Sequence, residues 1–204
     1  PVSEEDHRLT DFFNEYESSK FVAEDVIKDY VRKGMDIVIV NPPRVYGPGI
    51  SSKNNAMTLI MKRYISGLWP IMPSNGKGVG NYVYIDDVVN GHILALKNGK
   101  AGEKYILGGE NASYREFFSI LRKISGKHYV LINFPIYLML TIARVEMFFS
   151  VLMGKQPLIP PKWVKKYMYD WALTSKKAQE ELGYTITPLT EGIGKTVNWL
   201  KSTN

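Results

Sequence analysis

A long helical pattern that runs directly into a short aliphatic segment most limits the fold of this chain. Apolar and aromatic residues recur with a period of about 3.6 over residues 11–33, and Gly34 follows as a helix cap. Residues 35–40 are mostly apolar and rich in β-branched side chains, which predicts a strand buried on both faces of a parallel sheet. The prolines and glycines of residues 41–49 end this strand. They predict a rigid loop at its C-terminal edge, where ligands bind in open α/β sheets.

Tyr16 and Lys20 lie four residues apart in this helix and therefore on the same face. A lysine ammonium beside a phenol favours the phenolate and draws the phenol's pKa of ~10 toward neutrality. A tyrosine with such a pKa works as a general acid or base near neutral pH. The spacing alone equally fits a core aromatic residue at Tyr16, with Lys20 extending beside it to solvent. Tyr16 and Lys20 are thus candidate catalytic residues, and the sequence around them must decide their role.

The rest of the chain continues with helical and strand patterns. Asp86 and Asp87 begin one predicted helix, and we interpret them as N-terminal caps rather than as a catalytic pair. Ser113 and Glu116 have the spacing of a capping box at the start of another helix. The predicted helices cover residues 55–68, 86–97, 113–125, 175–182 and 189–201, and the predicted strands cover residues 81–85 and 104–107.

Residues 130–153 form the most apolar stretch of the chain. A membrane-spanning helix needs ~20 apolar residues without charges, whereas Pro135, Arg144 and Glu146 interrupt this segment. Residues 135–153 therefore predict a helix that is apolar on more than one side but does not cross a membrane. Three interpretations stay open: a helix over the substrate pocket, a subunit contact, or an association with a membrane surface.

Composition excludes several classes of site. The chain has no cysteine, which excludes disulfides and zinc–thiolate sites and fits a reducing cytoplasm. Its three histidines, His7, His92 and His128, are far apart in sequence, and we expect no metal site. The net charge of +6 comes without a nucleic-acid-binding motif, so we expect no nucleic-acid partner. The same positive balance would attract an anionic cofactor or substrate.

The stretch of residues 16–49 resembles the extended short-chain dehydrogenase/reductase family, which includes the NAD-dependent epimerases and dehydratases. Three later segments, residues 82–88, 103–109 and 181–184, follow in the order that this family shows. The closest resemblance is to the dihydroflavonol-reductase-like branch. It implies an α/β fold with a partial doubly wound, Rossmann-like parallel sheet and a smaller, mostly helical substrate-binding lobe.

The resemblance also implies how the chain divides. We expect residues 1–110 to hold the C-terminal part of the Rossmann-like core, with interleaved segments of the substrate lobe. Residues 111–204 would form mainly the substrate-binding lobe and the C-terminal helices. In the resembled family the helix that carries Tyr16 commonly packs in a four-helix bundle between subunits, so we expect a homodimer.

The resemblance assigns roles to individual residues. Tyr16 would exchange a proton with the substrate oxygen, while Lys20 would lower the pKa of Tyr16 and hydrogen-bond the nicotinamide ribose. The backbone around Pro42, Pro43 and Val45 would line the nicotinamide side of the pocket, where proline fixes φ and keeps the wall rigid. The cofactor would be NAD or NADP. The reaction would be a hydride transfer to or from a carbinol or carbonyl carbon of the substrate.

Part of the family pattern has no counterpart in this sequence. The family places a glycine-rich nucleotide loop and a catalytic Ser or Thr before the Tyr–Lys helix, and 15 residues precede Tyr16. Gly76, Gly78 and Gly80 come after that helix, lead into a strand pattern and are interpreted as a loop. We therefore expect the sequence to be the C-terminal portion of a longer enzyme. This portion alone should neither bind a dinucleotide tightly nor turn over.

Two features of the sequence bear on the class of substrate. Many nucleotide-sugar members of the family carry an arginine just before the strand that leads to the aspartate. The equivalent region here, Gly80–Tyr82, has no arginine, which disfavours a nucleotide-sugar substrate. Arg44 would either compensate for that arginine or pair with a neighbouring carboxylate. The apolar residues 130–153 favour a sugar-, steroid- or flavonoid-like small molecule. The alternatives are a nucleotide-sugar epimerase or dehydratase on the same scaffold, and a non-catalytic dinucleotide-sensing scaffold.

Overall fold

A computed structural model describes residues 1–7, 11–49, 55–154 and 161–203 of the chain. Within these ranges eight α-helices form: α1 Glu15–Arg32, α2 Ala56–Ile65, α3 Ile85–Asn98, α4 Tyr114–Ser125, α5 Ile136–Leu152, α6 Pro161–Lys165, α7 Lys176–Leu182 and α8 Leu189–Ser202. The strands are β1 Ile39–Asn41, β2 Arg44–Tyr46, β3 Ile71–Met72, β4 Val79–Tyr84, β5 Lys104–Ile106, β6 Glu110–Ser113 and β7 Ile132–Asn133. Short 3-10 helices span Pro73–Gly76 and Lys166–Met168.

The described strands form three small sheets in which parallel pairs dominate. Strand β4 is central in the largest sheet, parallel to β2 and antiparallel to β6. Strand β1 pairs in parallel with β5, and β3 pairs in parallel with β7. Parallel neighbours need long connections, and the connection between the parallel pair β2 and β4 contains helix α2. The result is the α/β fold that the sequence predicted.

Two apolar cores hold these elements together. The larger one lies between the β2–β4–β6 sheet and helices α2, α4 and α8, and is rich in aromatic rings. In it the Tyr82 ring stacks on Phe117 with their centroids 4.7 Å apart. The smaller core joins β5, α3 and α7 through Tyr105, Ala95 and Leu182. Burying this apolar surface is the main stabilising contribution to the fold.

The first helix and strand are shorter than predicted. Helix α1 begins at Glu15, where the Asn14 side chain accepts a hydrogen bond from the Glu17 amide, so residues 11–14 are not helical. Gly34 follows the helix with φ +90°, as expected for a cap. Strand β1 covers three residues and is half-buried rather than buried on both faces. Among the described strands it has β5 as its single neighbour, so its other edge is open.

The interpretation of Asp86 and Asp87 as caps is wrong. The N-cap position of α3 is Tyr84, which makes no side-chain capping bond. Asp87 is buried and accepts hydrogen bonds from the Thr187 amide at 2.8 Å and from the Thr187 hydroxyl at 2.6 Å. The carboxylate thus ties α3 to the segment that precedes α8. By contrast, the Ser113–Glu116 capping box is confirmed at the start of α4, and Gly126 ends that helix with φ +72°.

Helix α5 confirms the helix predicted within residues 135–153, and Ala143 is its one buried residue. No helix in the described part of the chain is long and apolar enough to span a membrane.

Candidate active site

Tyr16 and Lys20 face solvent together in the first turns of α1. The Tyr16 side chain is 68% exposed, so the alternative of a core aromatic residue is wrong. The Lys20 ammonium nitrogen lies 5.5 Å from the centre of the Tyr16 ring, a cation–π distance. Among the described residues no carboxylate pairs with Lys20. The pair therefore offers an accessible phenol and an accessible cation to a bound molecule.

A residue that sequence reasoning missed joins this helix to the sheet. Glu24 follows Lys20 by four residues and therefore lies on the same helix face as Tyr16 and Lys20. Its carboxylate accepts a hydrogen bond from the Asn41 amide group at 3.3 Å and an ion-paired bond from Lys104 at 3.4 Å. Asn41 is the last residue of β1. Glu24 thus fixes this helix face to the C-terminal end of that strand, and its i+8 spacing from Tyr16 was the available sequence clue.

The proline pair predicted to line the pocket lies at that same strand end. Pro42 and Pro43 connect β1 to β2, and Val45 is the middle residue of β2. Pro42 is exposed, while Pro43 and Val45 are half-buried. The Glu24–Asn41 bond therefore brings the face of α1 that carries Tyr16 and Lys20 to the start of this loop.

The C-terminal half of the chain supplies a second wall beside Tyr16. The Phe13 ring, just before α1, lies 5.5 Å from the Tyr169 ring and 6.0 Å from the Trp171 ring, centre to centre. Glu17, adjacent to Tyr16, forms an ion pair with Lys166. These contacts hold the beginning of α1 against residues 166–171. Nothing in the local sequence of either segment predicted this contact.

Arg44 occupies a cage of tyrosines next to that wall. Its guanidinium donates a hydrogen bond to the Tyr82 hydroxyl at 3.2 Å and lies 5.5 and 5.2 Å from the centres of the Tyr82 and Tyr114 rings. A Cβ atom at Gly80 would overlap this guanidinium, so the missing side chain at position 80 makes room for Arg44. Among the residues that the structure describes, no carboxylate pairs with Arg44, so the predicted pairing with a neighbouring carboxylate does not occur there.

The phenols of the cage are neutral near pH 7. Desolvation raises the pKa of Tyr82, Tyr114 and Tyr167, and the positive charge of Arg44 opposes that rise at each of them. The phenols can stabilise the guanidinium with their oxygens and ring faces, but they do not neutralise it. The cage therefore holds a largely desolvated positive charge that an anionic group could compensate.

A comparison with protein families matches residues 1–108 to the family described as "NAD dependent epimerase/dehydratase family". Among curated proteins, a putative dihydroflavonol 4-reductase from Synechocystis is 31% identical over 191 residues, which cover 92% of this chain and 54% of that protein. The chain spans about half the length of the curated relatives that it matches.

Solved structures agree on the fold. The crystal structure of gox2253 superposes with a TM-score of 0.76 at 26% identity, covering 100% of this chain and 61% of that one. The UDP-glucuronic acid 4-epimerase from Bacillus cereus, crystallised with NAD, gives a TM-score of 0.71 at 24% identity and covers 99% of this chain and 56% of its own.

Proposed function

Because this chain belongs to the NAD-dependent epimerase/dehydratase family, we propose that the whole protein is an NAD(P)-dependent oxidoreductase that transfers hydride to or from a carbinol or carbonyl carbon. Tyr16 and Lys20 would be its acid/base pair. The observation that carries the proposal is the solvent-exposed Tyr16–Lys20 face of α1, which Glu24 anchors to the C-terminal end of β1. Ligands of open α/β sheets bind at that edge.

The residues present fit the nicotinamide half of a dinucleotide. No described carboxylate pairs with the Lys20 ammonium, and such an ammonium can donate hydrogen bonds to ribose hydroxyls. Pro42 and Pro43 have no amide hydrogen, so they form a rigid wall without donors to compete for the ring. The backbone around Pro42, Pro43 and Val45 would line the nicotinamide side. The residues that would contact the nicotinamide half do not determine the choice between NAD and NADP.

The nicotinamide, when bound, supplies or accepts the hydride. In the reducing direction the Tyr16 hydroxyl would donate its proton to the substrate oxygen as the carbon becomes a carbinol. Lys20 would stabilise the phenolate that remains, since a nearby cation favours the charged form. Glu24 would act as a positioning residue, because it holds the helix face against Asn41 without reaching the substrate.

We infer that the substrate is a small sugar-, steroid- or flavonoid-like molecule. The similarity to a protein named as a putative dihydroflavonol 4-reductase supports this class. The rings of Phe13, Tyr169 and Trp171 beside the start of α1 also support it, because aromatic surfaces bind flat or apolar molecules.

We also propose that the protein is a homodimer, as the family resemblance implies. The exposed apolar side chains of Phe21, Val22 and Val26 on α1 support this proposal.

The first experiment tests the acid/base pair in the whole protein. Tyr16→Phe should lower turnover of a carbonyl substrate by about 10²- to 10⁴-fold, the usual contribution of a general acid, without loss of dinucleotide binding. The same helix offers a matched control, because Tyr30 is also exposed and has Lys33 5.3 Å from its ring centre. Tyr30→Phe should leave turnover unchanged. Calorimetry with NAD(H) and NADP(H) and steady-state kinetics give the two readouts.

Two outcomes would overturn the proposal. Equal turnover in the Tyr16→Phe and Tyr30→Phe variants would remove Tyr16 from the chemistry. Failure of the whole protein to bind any of the four dinucleotides would instead favour the non-catalytic scaffold.

The Arg44 cage favours a second candidate function, a nucleotide-sugar epimerase or dehydratase. A diphosphate would compensate the positive charge that no described carboxylate neutralises, and a guanidinium can bind it through paired hydrogen bonds. Arg44→Met should then raise the KM for a nucleotide sugar, whereas Arg115→Met, at an exposed arginine that bonds the Asn75 carbonyl, should not. Conversion of a nucleotide sugar without net formation of NADH would establish this function; no effect of Arg44→Met would remove it.

A further inference from the structure

Helix α5 exposes most of its apolar side chains, while two of its polar side chains are half-buried. Glu146 and Ser150 lie on the half-buried side, where the Ser150 hydroxyl donates a hydrogen bond to the Glu146 carboxylate at 2.8 Å. On the opposite side Phe148 is 66% exposed and Leu152 is 73% exposed. The outward apolar set comprises Tyr137, Leu138, Ile142, Val145, Met147, Phe148, Phe149, Val151 and Leu152. A helix on a water-facing surface has the opposite arrangement.

A positively charged border accompanies this apolar surface. Helix α6 packs beside the C-terminal half of α5, and a groove of about 550 Å³ lies between them. Phe148, Val151 and Leu152 form its apolar floor. Arg144, Lys162 and Lys165 line the same groove and are exposed. Among the described residues none of these three cations forms a salt bridge.

We propose that α5 and α6 form a docking surface for an anionic phospholipid bilayer. The apolar side of α5 would enter the boundary between headgroups and acyl chains, and Arg144, Lys162 and Lys165 would contact anionic headgroups. An interfacial helix with apolar side chains on one side and cations at its edge binds membranes by both contributions. The helix has 17 residues, and no described helix is long and apolar enough to span a bilayer, so α5 would lie along the surface.

Charge complementarity favours a bilayer over a second copy of the chain as the occupant. A second copy of the chain would bring the same three cations against each other in a symmetric contact, which disfavours that pairing. A bilayer with anionic lipids has negatively charged headgroups above an apolar layer. The headgroups would meet the cations of the groove, and the apolar layer would meet its apolar residues. The proposal is independent of the catalytic one, because it uses none of the residues placed in the active site.

Vesicle co-sedimentation of the full chain tests the proposal. The probes are vesicles of phosphatidylcholine alone and of phosphatidylcholine and phosphatidylglycerol in equal parts. We expect binding to the mixed vesicles that weakens as salt is added. Lys162→Glu with Lys165→Glu should reduce the partition coefficient by at least about 25-fold, since each cation contributes about fivefold before reversal. Phe148→Ser with Leu152→Ser should reduce it by at least about tenfold, as apolar area is lost.

A matched pair on another helix controls for general effects of such substitutions. Leu96 and Lys97 are both exposed on α3, and Leu96→Ser with Lys97→Glu should leave vesicle binding unchanged. Thermal unfolding of each variant checks that it is folded, and the charge reversals leave α5 itself intact. Wild-type protein that fails to bind mixed vesicles overturns the proposal, as does equal binding to neutral vesicles. The surface would instead bind a second copy of the chain under two conditions. The wild-type protein would not bind vesicles, and light scattering would show that Phe148→Ser with Leu152→Ser turns a dimer into a monomer.

Discussion

Helices α1 and α4 show two different uses of an amphipathic sequence. Helix α4 buries Tyr114, Phe117, Phe118 and Leu121 in the larger core and is fixed at both ends by its capping box and Gly126. Helix α1 is longer, yet it has no buried residue, and it carries the candidate catalytic pair. Its connections to the rest of the chain are polar, through Glu17 and Glu24, or lie before its first turn, through Phe13. Helix α4 contributes to the core, whereas α1 exposes the candidate catalytic pair to solvent.

The difference predicts that stability and activity depend on different helices. An apolar helix face that packs in the core contributes to folding through buried area. The face of α1 that carries Tyr16 and Lys20 contributes almost no buried area, so its residues are free to be selected for the molecules they contact. We therefore expect substitutions on α4 to change the free energy of unfolding and substitutions on the exposed face of α1 to change activity.

The strongest test compares Phe117→Ala with Tyr16→Ala. Phe117 is fully buried and stacks on Tyr82, so its truncation should cost about 3–5 kcal/mol of unfolding free energy. Tyr16 is 68% exposed, so its truncation should stay within about 0.5 kcal/mol. Urea unfolding followed by circular dichroism gives both values. A comparable loss of stability for Tyr16→Ala would mean that the exposed face of α1 also supports the fold.

A second test applies the same contrast to two adjacent residues of α3. Asp87 is buried and accepts two hydrogen bonds from Thr187, so Asp87→Ala should cost about 1–3 kcal/mol by leaving those donors unsatisfied. Asp86 is exposed in the same first turn, and Asp86→Ala is the matched control with a smaller expected cost. Equal costs for the two variants would show that position at the helix end, and not the Thr187 contact, is what matters.

The sequence was sufficient where one local pattern decides the structure. The capping box of Ser113 and Glu116 predicted the start of α4, and the predicted range of residues 113–125 agrees with the observed helix Tyr114–Ser125. The motifs of the extended short-chain dehydrogenase/reductase family are short and local, so the sequence was enough to identify it. The family match over residues 1–108 confirms this identification. The position of Tyr16 and Lys20 on one face followed from helix geometry alone.

Contacts between distant segments were beyond local reasoning. Asp87 was interpreted as a cap because its partner, Thr187, lies 100 residues away. Glu24 has no motif of its own, and its role becomes visible only when Asn41 and Lys104 reach it. Arg44 could be predicted to pair with a carboxylate or with an anion, but only the folded chain shows that tyrosines surround it. In each case the role of the residue depends on a partner that local sequence patterns do not identify.

The smallest expected effect concerns the helix caps and depends on pH. The Glu116 carboxylate accepts hydrogen bonds from the Ser113 amide and hydroxyl, both at 2.7 Å, and these bonds lower the pKa of Glu116. A lowered pKa in the folded state means that this contribution is present above the carboxyl's unfolded pKa and is lost as pH falls through the folded one. Glu116→Gln should therefore lower the urea midpoint slightly at neutral pH, with the gap to wild type closing under acid conditions. A gap that stays constant across the acid range would show that the carboxylate's charge does not contribute to the cap and that hydrogen-bonding geometry alone stabilises α4.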